Sequence, residues 1–435
     1  MQIIFIITLI FLVFLIFLEA KKCNYLSPSK KWSRYLKTPY PKVNVYKNYE
    51  IAIIGGGISG MTMIKNIKDT NAKITLYEKT SRLGGNNYSS NSHPRIPMRF
   101  AAVLTNKSPN IENLCHDLGL KLLVLSRESA HIKINNKIVT VESPLSKIKY
   151  FTSVYLPTLY KYYFSRIMMN EAVCTYIPSH DHIFTNALIP VAGLNLFANN
   201  EDWCKLPSDQ VAKYILEAFP GTFSCIENGN HRLINKLKEK IKNKYILQGK
   251  ANSIKVVNDG IIINDKKYQS IVLCCQPHDA RCIIPKDLQP HYDIVSCFDK
   301  VYSYSCLHSF TSLFNNISQK KMLYYEVIEN NHYLHIDAAF YKLVAPRQLF
   351  ITVHYDRAPK IIPKQYIVEE SYTTLSRVRP TEREHLVNLL TKLKNNHRNV
   401  YLSNAAYIGY GWHEDAVLMA NQTSSAFTKN IYHML

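Results

Sequence analysis

Acidic residues are scarce in this 435-residue chain: 32 Asp and Glu stand against 53 Lys and Arg, a formal charge of +21. Such a field attracts nucleic acid or an anionic membrane surface. The excess is spread through a chain rich in Lys, Asn, Ile and Tyr, however, and no nucleic-acid partner is expected. Cysteine is also scarce: there are ten, none in a CxxC pair. That excludes a disulfide scaffold and leaves zinc without closely spaced ligands. Cys274 and Cys275 lie in the apolar run from Ile271, which reads as a buried strand carrying small hydrophobic thiols. His180 and His182 have no third ligand nearby in sequence, so they read as a polar loop and no metal is expected. Fourteen glycines and nineteen prolines fall without period, which excludes fibrous and repeat architectures. With 47% hydrophobic and 20% charged residues, the remainder is globular, with material for one large core or two domains.

The first segment is apolar from Ile3 to Leu18 except for Thr8. Its helical length is about 24 Å, just short of the ~30 Å hydrocarbon layer. No Lys or Arg precedes it, and Leu18-Glu19-Ala20 is a poor cleavage signal. From Lys21 to Asn48 there are eight Lys and Arg and no acid, a pattern that favours the cytoplasmic side and anionic head groups. The expectation is a membrane protein with a single-pass N-terminal anchor at residues 1–20, a basic linker at 21–48 and a cytoplasmic globular part. The alternative is a cleaved signal and the secretory pathway.

The linker leads into a patterned stretch. Tyr49 to Ile54 reads as a buried strand and runs into Gly55-Gly56-Gly57-Ile58-Ser59-Gly60, which satisfies G-x-G-x-x-G. Met61 to Asp69 has helical spacing, and Lys73 to Tyr77 reads as a second strand ending at Glu78. Gly55 permits the tight turn, Gly57 lets backbone approach a pyrophosphate at a helix N-terminus, and Gly60 lets helix pack on strand. Glu78 can accept both ribose hydroxyls and would repel a 2′-phosphate. Strand, glycines, helix, strand and acid in register predict an α/β, Rossmann-like dinucleotide-binding domain.

Four residues beyond Glu78 comes Arg82-Leu83-Gly84-Gly85. It resembles the Arg-x-Gly-Gly segment of flavin-containing amine oxidases, where a guanidinium neutralises phosphate charge and paired glycines let the chain pass under the cofactor. Near the C-terminus, Asn399 to Ala420 resembles the closing strand and helix of the same superfamily. Within it, Gly409-Tyr-Gly-Trp-His-Glu-Asp415 is similar to the signature of predicted NAD/FAD-binding proteins associated with cyclopropane-fatty-acid synthases. The segments Asn106–Gly119, Glu227–Leu233 and Leu307-His308 agree with that branch.

The resemblance implies an FAD-binding domain built from 49–105, 222–285 and 398–432, interleaved with an α+β substrate domain of 106–221 and 286–397. The latter would include a helical stretch at 152–169 and a β-rich region at 302–356. Non-covalent FAD would be held by Gly55, Gly57, Ile58, Ser59, Gly60, Glu78 and Lys79. Arg82, Gly84 and Gly85 would lie near the pyrophosphate, Ala251 beside the adenine, and Gly411, Trp412 and His413 against the isoalloxazine. Trp412 would form an aromatic wall; Lys300 and His308 are weaker candidates near the reacting end. Glu414 and Asp415 also fit simple capping of the helix that follows. Asn404-Ala405 and Arg99 depart from the superfamily pattern and could crowd the cofactor. The implied activity is FAD-dependent oxidation, with hydride transfer from an amine or other C–H donor to flavin N5. One alternative is desaturation or isomerisation of a lipid or polyene chain; another is a non-catalytic, membrane-tethered dinucleotide-binding protein.

Overall fold

The computed structural model describes residues 40–98, 103–125, 130–139, 222–314, 323–341, 348–395 and 398–428, with short gaps inside these ranges and isolated positions at 198, 206 and 210–212. The apolar stretch 1–20, His180, His182, residues 152–169 and Arg99 lie outside them. Among the described residues no helix is long and apolar enough to cross a membrane.

The glycine-containing segment builds a five-stranded parallel sheet. At its centre is β1 (Glu50–Ile54), flanked by β2 (Lys73–Tyr77) and β12 (Ser270–Leu273); β8 (Ile246–Gln248) and β18 (Val400–Leu402) are the edges, giving the order β18-β12-β1-β2-β8. Every pairing is parallel. Ile51, Ala52 and Ile53 of β1 and Ile271, Val272 and Leu273 of β12 are fully buried, as continuous apolar strands must be when helices cover both faces. The expected strand at Ile271–Cys275 ends two residues early: Cys274 and Cys275 follow the strand rather than lying within it.

Helix α1 (Ile58–Ile67) connects β1 to β2, α2 (Pro109–Asp117) follows, and α3 (His231–Ile241) buries Leu233, Ile234, Leu237 and Ile241 at helical spacing. The short helices α4 (Pro277–Arg281) and α5 (His291–Ser296) leave the end of β12, while α6 (Arg383–Asn395) and α7 (His413–Ser424) flank β18. Helix α7 lies on α1: Ser59 Oγ donates to the Ala416 carbonyl at 3.1 Å, and Asn66 Nδ2 donates to Asn421 Oδ1 at 2.9 Å. An antiparallel ribbon of β9 (Ile254–Val257), β10 (Gly260–Ile263) and β11 (Lys266–Tyr268) precedes β12.

The second large element is a seven-stranded sheet in the order β17-β13-β16-β15-β14-β5-β6. Its strands are β5 (Ala130–Ile134), β6 (Lys137–Val139), β13 (Phe298–His308), β14 (Leu323–Ile328), β15 (Asn331–Asp337), β16 (Phe350–Tyr355) and β17 (Ile367–Val378). Only β14–β5 is parallel. A three-stranded sheet, β3 (Val103–Thr105), β7 (Thr222–Ile226) and β4 (Leu122–Val124), in the order β3-β7-β4, packs against it. The core between them joins Leu123, Phe223 and Cys225 to Leu307, Leu334, Ile351 and Val353.

Strand alternation gives the seven-stranded sheet two unlike faces. Ile351, Val353 and Leu334 belong to the apolar core, whereas the intervening positions are buried but polar: His308, Thr352, His354, His335 and Glu326. The Phe310 N–H donates to His308 Nδ1 at 3.2 Å, which puts the ring proton on Nε2, 2.7 Å from Thr352 Oγ1. The Thr352 hydroxyl keeps its own proton for His335 Nδ1, at 2.8 Å. His335 Nε2–H is then left facing Glu326 Oε2 at 3.3 Å.

Burial lowers the pKa of His308 to about 3, with neighbouring His335 adding to the shift, and those of His332 and His354 to about 4. These rings are neutral when folded. Their contribution to stability is complete above the ordinary histidine value of about 6.5 and is lost as pH falls toward 4, because only the unfolded chain takes up the protons. Denaturant midpoints should therefore fall between pH 7 and pH 5, with each histidine contributing a slope of up to about 1.4 kcal/mol per pH unit. Among the described residues neither ring nitrogen of His354 has a hydrogen-bond partner, so His354→Phe should flatten this slope; an unchanged slope would contradict the assignment.

Candidate dinucleotide and substrate cavity

A cavity of about 580 Å³ opens at the C-terminal ends of β1 and β12 and runs to the apolar face of the seven-stranded sheet. Ligands of open parallel sheets lie at this switch point, where the strand order reverses. Its narrowest construction is the glycine turn. Gly55 has φ +109°, and a Cβ there would stand 2.7 Å from the Cys275 nitrogen. A Cβ on Gly60 would stand 2.0 Å from the Gly55 carbonyl oxygen. The second glycine pair docks on the first: Gly84 N–H donates to the Gly56 carbonyl at 2.8 Å, and Gly57 bridges Gly84 in parallel.

Glu78 closes β2 with both carboxylate oxygens engaged. The Gly56 N–H donates to Oε2 at 2.8 Å, and the Thr80 N–H and hydroxyl donate to Oε1 at 2.9 and 2.8 Å. The carboxylate is thereby fixed beside the turn at the cavity wall. Lys79 forms an ion pair with Asp279 of α4 at 2.7 Å, and both line the cavity together with Lys250, Ala251 and Asn252. Arg82 lies over the Tyr88 ring, 4.1 Å from its centroid.

At the other end Gly411, Trp412 and His413 line the cavity where α7 begins. His413 is half-buried, and its enclosure lowers its pKa to about 4, leaving a neutral ring. Asp415 accepts from the Trp412 N–H at 3.3 Å and so caps its own helix. Glu414 instead accepts from the N–H groups of Asn110 and Ile111, at 3.3 and 2.9 Å, and from Asn110 Nδ2 at 2.7 Å. It thus caps α2 across the interface, satisfying donors that a helix N-terminus leaves free. Asn404 and Ala405 line the cavity; the Asn404 amide donates to the Cys274 carbonyl at 3.0 Å while its oxygen accepts from Ala406 N–H at 2.9 Å, so Asn404 joins β18 to the end of β12.

Of the residues expected to hold a dinucleotide, Gly55, Gly57, Ile58, Ser59, Glu78, Lys79, Arg82, Gly84, Gly85, Ala251, Gly411, Trp412 and His413 all line this one cavity. Gly60 does not; it is buried where α1 crosses β1. Lys300 is corrected by its position: it is exposed, 4.9 Å from the Tyr302 ring centroid, and absent from the cavity wall. His308 is fully buried on the sheet face turned away from the cavity. Sequence reading missed Asp279, Cys275 and the substrate-side wall of Phe223, Leu334, Val353 and Tyr355. They come from separate strands, a helix and the turn after β12, and carry no local motif.

A model of an NAD(P)-binding Rossmann-like domain matches residues 53–118. Protoporphyrinogen oxidase 2, chloroplastic/mitochondrial, of Arabidopsis thaliana is 27% identical over 124 residues, 28% of this chain and 24% of that protein, so the match spans about a quarter of the plant protein's length. Among solved structures, cyclohexylamine oxidase from Brevibacterium oxydans superposes with a TM-score of 0.63 at 15% identity, covering 87% of this chain and 98% of its own. A CLA-producing fatty acid isomerase from P. acnes superposes with a TM-score of 0.64 at 14% identity, covering 88% and 100%. These likenesses establish a mixed α/β fold shared with amine-oxidase-like structures across most of the chain.

The close approach at the turn predicts that Gly60→Ala displaces α1 from β1. A loss of at least about 2 kcal/mol is expected, because the clash is with backbone and cannot be relieved by a rotamer change. Urea denaturation would read this loss, and an unchanged midpoint would show that the turn has room the geometry denies.

Proposed function

We propose that this chain binds FAD non-covalently and acts as an oxidoreductase of the amine-oxidase type, taking a hydride equivalent from an amine or other C–H donor. The observation that carries the reading is that one cavity joins the glycine turn, Glu78 and Arg82 to the start of α7 and to the apolar face of the seven-stranded sheet. The residues present fit the cofactor. The glycines leave backbone open to a pyrophosphate, Arg82 supplies a cation there, and Glu78 keeps a lone pair on Oε2 for a ribose hydroxyl. The N-terminus of α7 favours negative charge on a ring placed against Trp412 and His413.

FAD, when bound, supplies the hydride acceptor at N5. The chain's own part is to bind, orient and exclude water. Trp412 forms a wall beside the reacting carbon, and Phe223, Leu334, Val353 and Tyr355 make the adjoining space apolar. Cys275 lines the cavity, but burial pushes its thiol up to about 12, and Cys274 is pushed higher still. Neither offers the thiolate that a covalent link would use; the exposed Cys282 also lines the cavity, and release of the flavin by heat is what the non-covalent reading requires.

A second reading, desaturation or isomerisation of a lipid or polyene chain, is favoured by the distribution of charge. Among the described residues the charged lining side chains are Glu78, Lys79, Arg82, Lys250 and Asp279, all on the dinucleotide half. Among the described residues, the lining on the substrate half includes no carboxylate to hold an ammonium group. The apolar segment at residues 3–18, proposed as a membrane anchor, would bring the cavity near such chains.

The test is an absorbance spectrum of the purified chain before and after heat release of ligand. A two-band flavin spectrum with FAD in the supernatant is expected; a folded, colourless chain that takes up no added FAD would leave a non-catalytic scaffold. Anaerobic bleaching by amines or by unsaturated lipids would then separate the two substrate readings. Trp412→Ala should slow bleaching by about ten- to a hundredfold through loss of orientation, whereas Lys300→Met should leave it unchanged.

A further inference from the structure

One carboxylate outside the glycine segments collects more donors than its position on an edge strand requires. Glu369 of β17 accepts at Oε2 from Ser90 Oγ at 2.6 Å and from the Asn91 N–H at 2.9 Å. At Oε1 it accepts from the Tyr88 hydroxyl and, at 3.1 Å, from Asn91 Nδ2. Ser92 adds its hydroxyl to Oε2 at 3.3 Å. Glu369 is half-buried. Burial alone would raise its pKa, but the hydrogen bonds from Ser90 and Tyr88 outweigh it and hold the carboxyl below its ordinary value. The donors all belong to the segment that leaves Gly85 and folds back through the Ser89–Pro97 bridge. Two residues supply the rest of the connection. The Tyr88 ring carries Arg82 at 4.1 Å, and the Thr373 hydroxyl of the same strand donates to Asn86 Oδ1 at 3.2 Å.

We propose that Glu369 is a positioning residue for Arg82: by gripping the Tyr88 hydroxyl and the 90–92 turn, it fixes the ring on which the guanidinium rests and so aims that guanidinium into the dinucleotide cavity. The proposal rests on the FAD reading above and adds to it a latch supplied by the substrate-side sheet. A carboxylate suits the task because its bonds to hydroxyl and amide donors are charge-assisted and it has lone pairs for several donors at once. The aromatic ring suits it because a guanidinium stacks flat on a π-face while its N–H groups stay free for phosphate.

The experiment is a double-mutant cycle on the full chain, with the FAD dissociation constant as readout. Glu369→Gln should weaken FAD binding about tenfold, the change carried by loss of one charge-assisted hydrogen bond. If Glu369 acts through Arg82, then in an Arg82→Ala background the same substitution should change the constant by less than about twofold, the non-additivity expected of coupled residues. A merely structural role would give additive losses. Hydrogen exchange supplies a readout independent of cofactor: the Asn91 and Ser92 amides should be protected in the wild type and exchange faster in Glu369→Gln. Should that variant fail to fold, Tyr88→Phe, which keeps the ring and deletes the hydroxyl, carries the same cycle. Additive losses, or an unchanged constant in Glu369→Gln, would overturn the latch while leaving the cofactor reading intact. A wild-type chain that takes up no FAD would overturn the cofactor reading and the role given to Glu369 with it.

Discussion

The structure depends on backbone approaching backbone where β1 turns into α1. Gly55 lies against the chain leaving β12, Gly60 sits on the carbonyl of Gly55, and a Cβ on Gly85 would stand 3.1 Å from the Cα of Gly57. No side chain larger than hydrogen meets all three requirements without moving a strand or helix. Because these contacts hold, the N-terminus of α1, the ends of two parallel strands and the second glycine pair converge on one wall. The donors of a helix N-terminus and the cation of Arg82 then face the same space, which is what an anionic pyrophosphate needs.

The seven-stranded sheet answers a different constraint. One of its faces must offer apolar surface to a cavity, while the other is buried and still polar. Buried polar groups are stabilised by hydrogen bonds, and part of the outer face has them in the ordered run from the Phe310 amide through His308 and Thr352 to His335; His354 is instead held neutral among the Tyr304 and Tyr333 rings. The same alternation that presents Leu334 and Val353 to the cavity presents His335, Thr352 and His354 to the other side. His308, His335 and His354 are therefore structural by position, and the opposite wall gains its apolar character from strands whose composition is mixed.

Legibility in the sequence followed the range of the interactions. The turn at Gly55–Gly60, strand β2 and Glu78 were readable because a dinucleotide fold writes its requirements within about thirty residues. The elements at the C-terminus were readable only through resemblance, since nothing in Gly409–Asp415 announces by spacing that it meets a turn more than 350 positions earlier. Lys300 was misleading because a place on a strand does not fix which face a side chain takes; within β13 it is exposed beside Tyr302, and no β13 residue lines the cavity. Cys274 and Cys275 shared an apolar run with β12, yet hydropathy does not mark where a parallel strand ends. Glu369 and Asp279 were illegible for the same reason as the substrate wall: each depends on a contact across about 200 positions or more, and a lone carboxylate in sequence has no partner to identify it.

The Gly409–Asp415 string shows how a motif can look chemical and still be mostly architectural. A Cβ on Gly409 would stand 2.2 Å from Asp415 Oδ1, so the glycine is required by the cap of α7 rather than by a ligand. Asp415 caps α7 and Glu414 caps α2. Burial raises the pKa of Glu414, while its bonds to Asn110 and Ile111 act in the opposite sense. Two acidic residues thus fix two helix ends at one junction, and α7 is docked on both α1 and α2 before any ligand is considered. Trp412 and His413, together with the backbone of Gly411, are what remains to face the cavity. A neutral imidazole and an indole held on a doubly anchored helix end are suited to orienting a flat ring and poorly suited to general acid–base work near neutral pH. On the proposed reading, such a helix end would hold and orient a flat cofactor ring, with the protein supplying geometry.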